Sequence, residues 1–286
     1  MKIDKSKKIL IVGLGLLGGS YGMALKRKGY SVSAITLEQS SIDYAIEHNI
    51  IDNGTTQVDA DLIKSADLII FALYPQTFLK WIRENGHLIK SGTIVTDVTG
   101  VKGCIVNEIQ SLLPESVEFI AAHPMAGREV CGVENSDDSI FKGANYIVVP
   151  TEKNTFSAIE LCKTLGEELG FADVSVLPPE RHDEMIAFLS QLTHCIAISL
   201  MCASDDPNLE RYTGDSFRDL TRIANINDEM WSELFLANRE NLLRQMDAYQ
   251  STFERIYNCV KNGDREEMRS MMRISSERRR NFDKKS

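Results

Sequence analysis

Metal-binding and disulfide patterns are missing from this chain of 286 residues. Its six cysteines (Cys104, Cys131, Cys162, Cys195, Cys202 and Cys259) are scattered, with no CxxC pair and no Cys/His cluster at zinc spacing. That pattern excludes a zinc ribbon or a disulfide scaffold, and it predicts free thiols, no metal and a reducing, cytoplasmic setting. Surplus positive charge is missing too. The net charge is -9, which removes nucleic acid and an anionic membrane from the expected partners. The one run that resembles a signal peptide, "MKIDKSKKILIVGLGLLGG", is broken by glycines and continues into an amphipathic helix. No other segment reads as a bilayer span. Internal repeats and low-complexity linkers are absent as well.

What is present is a change of texture part-way along the chain. Up to about residue 175, short β-branched runs alternate with helical patterns. "KKILIVG", "YSVSAIT", "ADLIIFALYP", "GTIVTDVTG", "VEFIAAHP", "ANYIVVP" and "DVSVLPP" read as strands. Continuous apolar strands between amphipathic helices predict a parallel sheet covered on both faces. After Pro178 and Pro179 everything has helical period. The segment "HDEMIAFLSQLTHCIAISLMCAS" is apolar on more than one face and predicts a central buried helix. "DEMWSELFLANRENLLRQMDAYQSTFERIYNCV" predicts one more long helix. The expected class is therefore α/β. A Rossmann-type, doubly wound, mostly parallel domain spans residues 1–175, and an all-α dimerisation domain spans residues 176–286. The greasy surface of a helix such as 187–203 is the motive for a homodimer.

The glycines of "VGLGLLGGS" sit between the first strand and the first helix. Gly13 permits the tight turn, Gly15 lets backbone approach a pyrophosphate, and Gly18 lets the helix pack on the strand. The helix N-terminus then offers free N–H groups to the phosphates. A dinucleotide site follows, expected to use Gly13, Leu14, Gly15, Leu16, Leu17 and Gly18, with Leu73 and Pro75 after the next sheet strand. The acid that usually binds the adenosine ribose stands about 20 residues beyond the glycines. Here Thr36 occupies that strand end, and Glu38 follows in "TLEQSS", which holds no arginine for a 2′-phosphate. Glu38 therefore points to NAD, with NADP left open.

In "AAHPMAGRE", an apolar strand delivers His123 to the sheet edge where open α/β sheets bind ligands, and Pro124 restricts the backbone beside it. A neutral imidazole there suits a general base. Taken in order, "GLGLLGGS", "DVTGVKG", "HPMAGRE", "SQLTHC" and "FRDLTRIANINDEMW" resemble the prephenate dehydrogenase family, which includes arogenate and cyclohexadienyl dehydrogenases. The resemblance implies oxidative decarboxylation of a small anionic cyclohexadienyl acid, with prephenate giving 4-hydroxyphenylpyruvate in tyrosine biosynthesis. It implies His123 as the catalytic histidine and Arg222 as the arginine for a substrate carboxylate. It also implies His194 as a substrate contact, and Glu129 and Asp219 as an ionic gate with Arg222.

Two departures stand out. The family often reads "GSVKG", whereas here Gly100 holds the serine position and the hydroxyl lies one residue earlier, at Thr99. Thr99 is expected to stand in for that serine. Gln191 replaces a histidine found in some members. His182 reads as structural and Lys102 as a solvated lysine near the sheet edge. No appended ACT-type domain is expected, so any inhibition by tyrosine would be competitive. Three other readings stay open. Arogenate differs from prephenate as substrate only in a side-chain amino group in place of the keto group, a difference that the motifs do not register. A 3-hydroxyacid or 6-phosphogluconate type of dehydrogenase would carry a GxxxKxxNN-like helix, which the chain lacks. A redox sensor that binds NAD without turnover would leave His123 and Arg222 without a purpose.

Overall fold

The computed structural model of the chain describes residues 3–282. The outermost residues of the two expected domains, 1–2 and 283–286, lie outside the described residues. Among the described residues, nine strands lie in two sheets. β1 (Lys8–Val12), β2 (Ser31–Ile35), β3 (Asn53–Thr55), β4 (Leu68–Phe71), β5 (Ile94–Asp97) and β6 (Glu118–Phe119) form a parallel sheet in the order β3-β2-β1-β4-β5-β6. β7 (Ala121–Pro124), β8 (Asn145–Val149) and β9 (Asp173–Val176) form the second sheet, with β7 antiparallel and β9 parallel to β8. The helices between these strands are α1 (Leu16–Arg27), α2 (Gln39–Glu47), α3 (Ala60–Ser65), α4 (Pro75–Asn85), α5 (Val106–Leu112) and α6 (Phe156–Leu169).

Alternation along β1 shows why this sheet is covered on both sides. Ile9 and Ile11 enter one apolar cluster with helix residues Tyr21 and Leu25, whereas Leu10 and Val12 enter another with Phe78 and Ile82. Strand order reverses between β1 and β4, and open α/β sheets place their ligands at such a switch point. The glycine loop leaves β1 at that point. Gly13 holds φ at +100°, and a Cβ there would lie 2.5 Å from the Ala72 carbonyl. A side chain at Gly18 would drive its Cβ to 1.9 Å from the Gly13 carbonyl. The close approach of α1 to the loop therefore depends on a bare Cα at residue 18.

The structure revises three expectations. "VEFIAAHP" is not one strand. After Ile120, the chain exchanges its parallel partner β5 for the antiparallel partner β8, so β6 and β7 belong to different sheets. The segment after the double proline is not a central buried helix. α7 (Pro179–Ile186), a π-helical turn (Ala187–Gln191) and α8 (Leu192–Met201) run on as one helical stretch. Phe188, Leu189 and Met201 on it are exposed. By length and composition, Pro179–Met201 is also apolar enough to cross a membrane, which the sequence reading missed. The other long helix expected, from "DEMWSELF" onward, is divided at Asn238 into α10 (Asp228–Ala237) and α11 (Arg239–Asn262), after the short α9 (Asp215–Thr221).

By contact, the chain forms two compact units, Met1–Asn238 and Arg239–Ser286. The helices from residue 176 to 238 thus belong to the same unit as the sheets, a different division from the one expected near residue 175. Buried side-chain bonds from α7 to the sheet edge tie the two together. The second unit pairs α11 with α12 (Arg265–Arg279) around a turn at Gly263, where φ is +68°. Arg255 and Glu267 bridge that pair at 2.7 Å.

Gly18→Ala should lower the unfolding free energy in urea by about 1–3 kcal/mol, the usual cost of overpacking. Gly15→Ala should cost less than about 0.5 kcal/mol, because a Cβ at Gly15 meets nothing within 4 Å. Equal losses would show that the helix does not rest on the loop as described.

Candidate active site

The C-terminal ends of β1, β4 and β5 and the strand β7 bring the expected residues to one edge. At the end of β1, the Gly13 N–H donates to Ile35 O at 2.8 Å, and the Leu14 N–H reaches the Thr36 hydroxyl at 3.4 Å. The loop is thereby tied to the end of β2. The Leu14 side chain is buried in the core, so only its backbone faces the loop. Leu16 and Leu17 are half-buried at the start of α1, and Glu38 is exposed before α2. Leu73 lies against Gly13, and buried Pro75 opens α4. The open space at Gly15, beside the N-terminus of a helix of 12 residues, has the form of an anion cradle. A dinucleotide pyrophosphate fits it.

Behind the catalytic edge lies a buried ion pair. Lys102 is inaccessible to solvent, which corrects its reading as a solvated lysine. Its ammonium donates to Asp97 Oδ2 at 2.6 Å, to Ala122 O at 2.6 Å and to Thr99 Oγ1 at 3.1 Å. Those three bonds use all of its donors. The other oxygen of Asp97 accepts from the Ala122 N–H at 3.1 Å. Burial pushes the Lys102 pKa down, opposed by the Asp97 charge. The end of β5, the loop that follows and β7 are therefore stitched together immediately before His123.

Thr99 is part of this stitch. Its hydroxyl donates to Asp97, accepts from Lys102, and is buried. The expectation that Thr99 replaces the family serine is corrected on that ground, because its oxygen is engaged inside the cluster. The serine position itself faces the histidine. A Cβ built on Gly100 would lie 3.9 Å from His123 Nε2 and 3.6 Å from Leu234, in ordinary contact.

His123 lies on β7 opposite Ile147, partly exposed at the strand end. Its Nδ1 meets His182 Nε2 at 2.9 Å, and His182 Nδ1 meets Asp183 Oδ1 at 2.7 Å. Asp183 also accepts from the N–H groups of Lys102 at 2.9 Å and Gly103 at 2.7 Å. Burial, then the neighbouring His182 and Lys102, hold the His123 pKa well below the ordinary histidine value. His123 is therefore a neutral proton acceptor near pH 7. His182, read from sequence as merely structural, touches it directly. The only sequence signal for this was an adjacent His-Asp pair at the start of an apolar helix.

A second group sits beyond Pro124. Arg222 pairs with Glu129 at 2.5 Å, and its side chain is 65% exposed. Asp219 is exposed on α9, and among the described residues it has no ion pair with Arg222. The expected gate has one carboxylate here, not two. His194 donates from Nδ1 to Ser190 O at 2.9 Å and lies against Trp231, with ring centroids 3.7 Å apart and the planes tilted by 31°. Its Nε2 is thereby left as an acceptor. Gln191 is buried and joins Leu234 O to Asn238, a helix tie rather than a pocket wall. The loop after His123 returns to α1, where the Asp137 N–H donates to Ser20 Oγ at 3.0 Å and Arg27 pairs with Asp138 at 2.8 Å. The segment after His123 and α1 thus share one mechanical support.

Comparison with known proteins agrees with this arrangement. Residues 21–174 match the model for the prephenate dehydrogenase nucleotide-binding domain, and residues 178–274 match that for its dimerization domain. The chain belongs to the prephenate dehydrogenase family. It is 30% identical to the prephenate dehydrogenase of Bacillus subtilis over 270 residues, covering 91% of this chain and 72% of that one. In structure it is similar to the prephenate dehydrogenase of A. aeolicus in complex with hydroxyphenyl propionate and NAD+. The TM-score is 0.88 at 29% identity, over 97% of this chain and 98% of that one. It is also similar to Synechocystis arogenate dehydrogenase, with a TM-score of 0.81 at 25% identity over 96% and 99% of the two chains.

If the cluster is structural as described, urea unfolding should rank three variants. Lys102→Met leaves the Asp97 charge buried alone and should cost about 3–5 kcal/mol. Thr99→Val removes one buried hydroxyl and should cost about 1–3 kcal/mol. Gly100→Ser should fall within about 1 kcal/mol of the wild type. A Thr99→Val protein of unchanged stability would free Thr99 for another role.

Proposed function

We propose that this chain is a prephenate dehydrogenase, catalysing the NAD-dependent oxidative decarboxylation of prephenate to 4-hydroxyphenylpyruvate in tyrosine biosynthesis. The observation that carries this reading is a neutral His123 with one ring nitrogen bare, on β7 of the second sheet, tied through the Asp97–Lys102 cluster to the end of β5 in the sheet that carries the glycine loop, and joined through residues 124–129 to the Arg222–Glu129 pair. Bound NAD supplies the hydride acceptor. The cradle for it is Gly13, Leu14, Gly15, Leu16, Leu17 and Gly18, with Thr36, Glu38, Leu73 and Pro75 around the loop.

His123 takes the proton of the ring hydroxyl at Nε2 as the C4 carbon–hydrogen bond gives up its electron pair. The C1–carboxylate bond then breaks, its electrons complete the aromatic ring, carbon dioxide leaves, and the proton held on His123 returns to the ring oxygen to give the product hydroxyl. Arg222 grips a substrate carboxylate, for which its planar fork offers two parallel donors. Glu129 holds that fork in place before substrate arrives. His194 and Trp231 form a flat wall beside it. Assembly as a homodimer through residues 178–274, a division of domains near residue 175 and a cytoplasmic location belong to the same reading. The exposed Phe188, Leu189 and Met201 support the dimer, since such apolar surface is costly on a lone subunit.

The decisive assay follows reduced nicotinamide absorbance with prephenate and with arogenate, each with NAD and NADP. Turnover of prephenate with NAD is expected, and absence of turnover with either acid would overturn the reading. His123→Asn should lower kcat by about 10²–10⁴-fold, the usual worth of a general base. Arg222→Ala should raise KM by about 10–100-fold, the worth of a charged hydrogen-bonded contact. The pH profile has a definite sign. The His123 pKa lies below its usual value, so kcat/KM should be level around neutrality and fall with acid only below about 6.5. A fall that begins on the alkaline side of neutrality would assign the base to another group.

A further inference from the structure

Hydrogen-bond chemistry allows one neutral proton arrangement for the chain His123–His182–Asp183. The Asp183 carboxylate only accepts, and it already accepts from the backbone N–H groups of Lys102 and Gly103. His182 Nδ1, 2.7 Å from Asp183 Oδ1, therefore carries a hydrogen. In a neutral imidazole the other nitrogen is then an acceptor, so His182 Nε2 receives a hydrogen from His123 Nδ1 at 2.9 Å. His123 Nε2 is left bare, on the side that faces Gly100.

We propose that His182 and Asp183 are positioning residues that lock His123 in the tautomer with a free Nε2. Asp183 sets that tautomer with the same carboxylate that clamps the 97–103 loop. The proposal rests on the prephenate reading for the identity of the proton donor, and on geometry alone for the tautomer. When the substrate O–H bond breaks, its proton goes to His123 Nε2 and the ring becomes an imidazolium. The Nδ1–H bond to His182 then becomes charge-assisted and stronger. Without Asp183, the pair can invert, with His182 Nε2–H donating to His123 Nδ1. The hydrogen of His123 would then sit on Nε2 and block acceptance. A wrong tautomer of this kind is costly in other enzymes that orient a catalytic histidine with a carboxylate, by about 10⁴-fold in kcat. The charged and titratable groups facing the pair are Lys102 and Asp97, both buried, and Cys104, whose thiol burial pushes up to about 11. None of them offers an alternative acceptor to His182 Nδ1 among the described residues.

The test combines nitrogen NMR of the two ring systems with kinetics. In the full-length wild-type protein at pH 7.5, the His123 ring should show a protonated Nδ1 and an unprotonated Nε2. Asp183→Asn should invert or mix that pattern and lower kcat by about 10²–10⁴-fold, with KM changed by less than about threefold. Because Asp183 also clamps a loop, a second pair guards against misfolding. His182→Gln keeps an acceptor for His123 Nδ1–H and should retain kcat within about tenfold, whereas His182→Leu should lose as much as Asp183→Asn. A wild-type ring protonated at Nε2, or a folded His182→Leu enzyme with wild-type kcat, would overturn the proposal. The two readings fail separately. A wild type that does not oxidise prephenate refutes the substrate, while the ring nitrogens still decide the tautomer.

Discussion

An ammonium group sealed from water governs the shape of this site. Taking Lys102 and Asp97 out of solvent costs several kcal/mol per charge, which is repaid only if every donor and lone pair finds a partner. Here they do, and the partners are chosen from three places: the end of β5, the loop after it and the backbone of Ala122. Because both the N–H and the carbonyl of Ala122 are used, the next residue cannot shift without breaking a charged bond. That next residue is His123. A base that must meet a hydroxyl within a few tenths of an ångström gains from such an anchor. The same loop is held from the other side by Asp183, so the anchoring network and the tautomer network meet at one carboxylate.

Charge around the site follows from this arrangement. The protein as a whole is acidic, yet the candidate site carries a buried lysine and an exposed arginine. Burial first, then His182 and Lys102, hold the His123 pKa well below the ordinary histidine value. Arg222 stays beyond the cluster, paired to a carboxylate that holds its fork for a ligand. The proposed base and Glu129, the partner of Arg222, thus lie at opposite ends of one short segment, residues 123–129, whose continuation is bonded to α1. The order of events in the proposed reaction needs that coupling, since the hydroxyl proton and the carbon-bound hydrogen leave together.

Much of this was legible in the chain itself. Glycines at 13, 15 and 18 between an apolar strand and a helix specify a loop whose purpose is close approach. Apolar runs without alternation marked a sheet buried on both faces. "HPMAGRE" and "DLTRIA" carried the histidine and the arginine through family resemblance. Other features needed the fold. Lys102 in "GVKG" looks solvated because a lysine beside glycines usually is, and nothing local reveals that Asp97 waits beneath it. Thr99 looked free for the same reason. The meeting of His123 with His182 joins residues 59 apart, and periodicity reports a residue's face but not its distant partner. The division of "VEFIAAHP" into two strands was hidden because both halves are equally apolar. The helical stretch at 179–201 misled because its exposed apolar residues, Phe188, Leu189 and Met201, have the same composition as core.

The central claim is that His123 Nε2 meets the ring hydroxyl while Arg222 holds a carboxylate. A crystal structure of this chain with NAD and 4-hydroxyphenylpyruvate tests both halves at once. The account predicts the product hydroxyl at about 2.6–3.2 Å from His123 Nε2, the reach of a general base, and a product carboxylate on the Arg222 guanidinium. A product hydroxyl bonded to another group, with His123 Nε2 facing only apolar atoms, would contradict it.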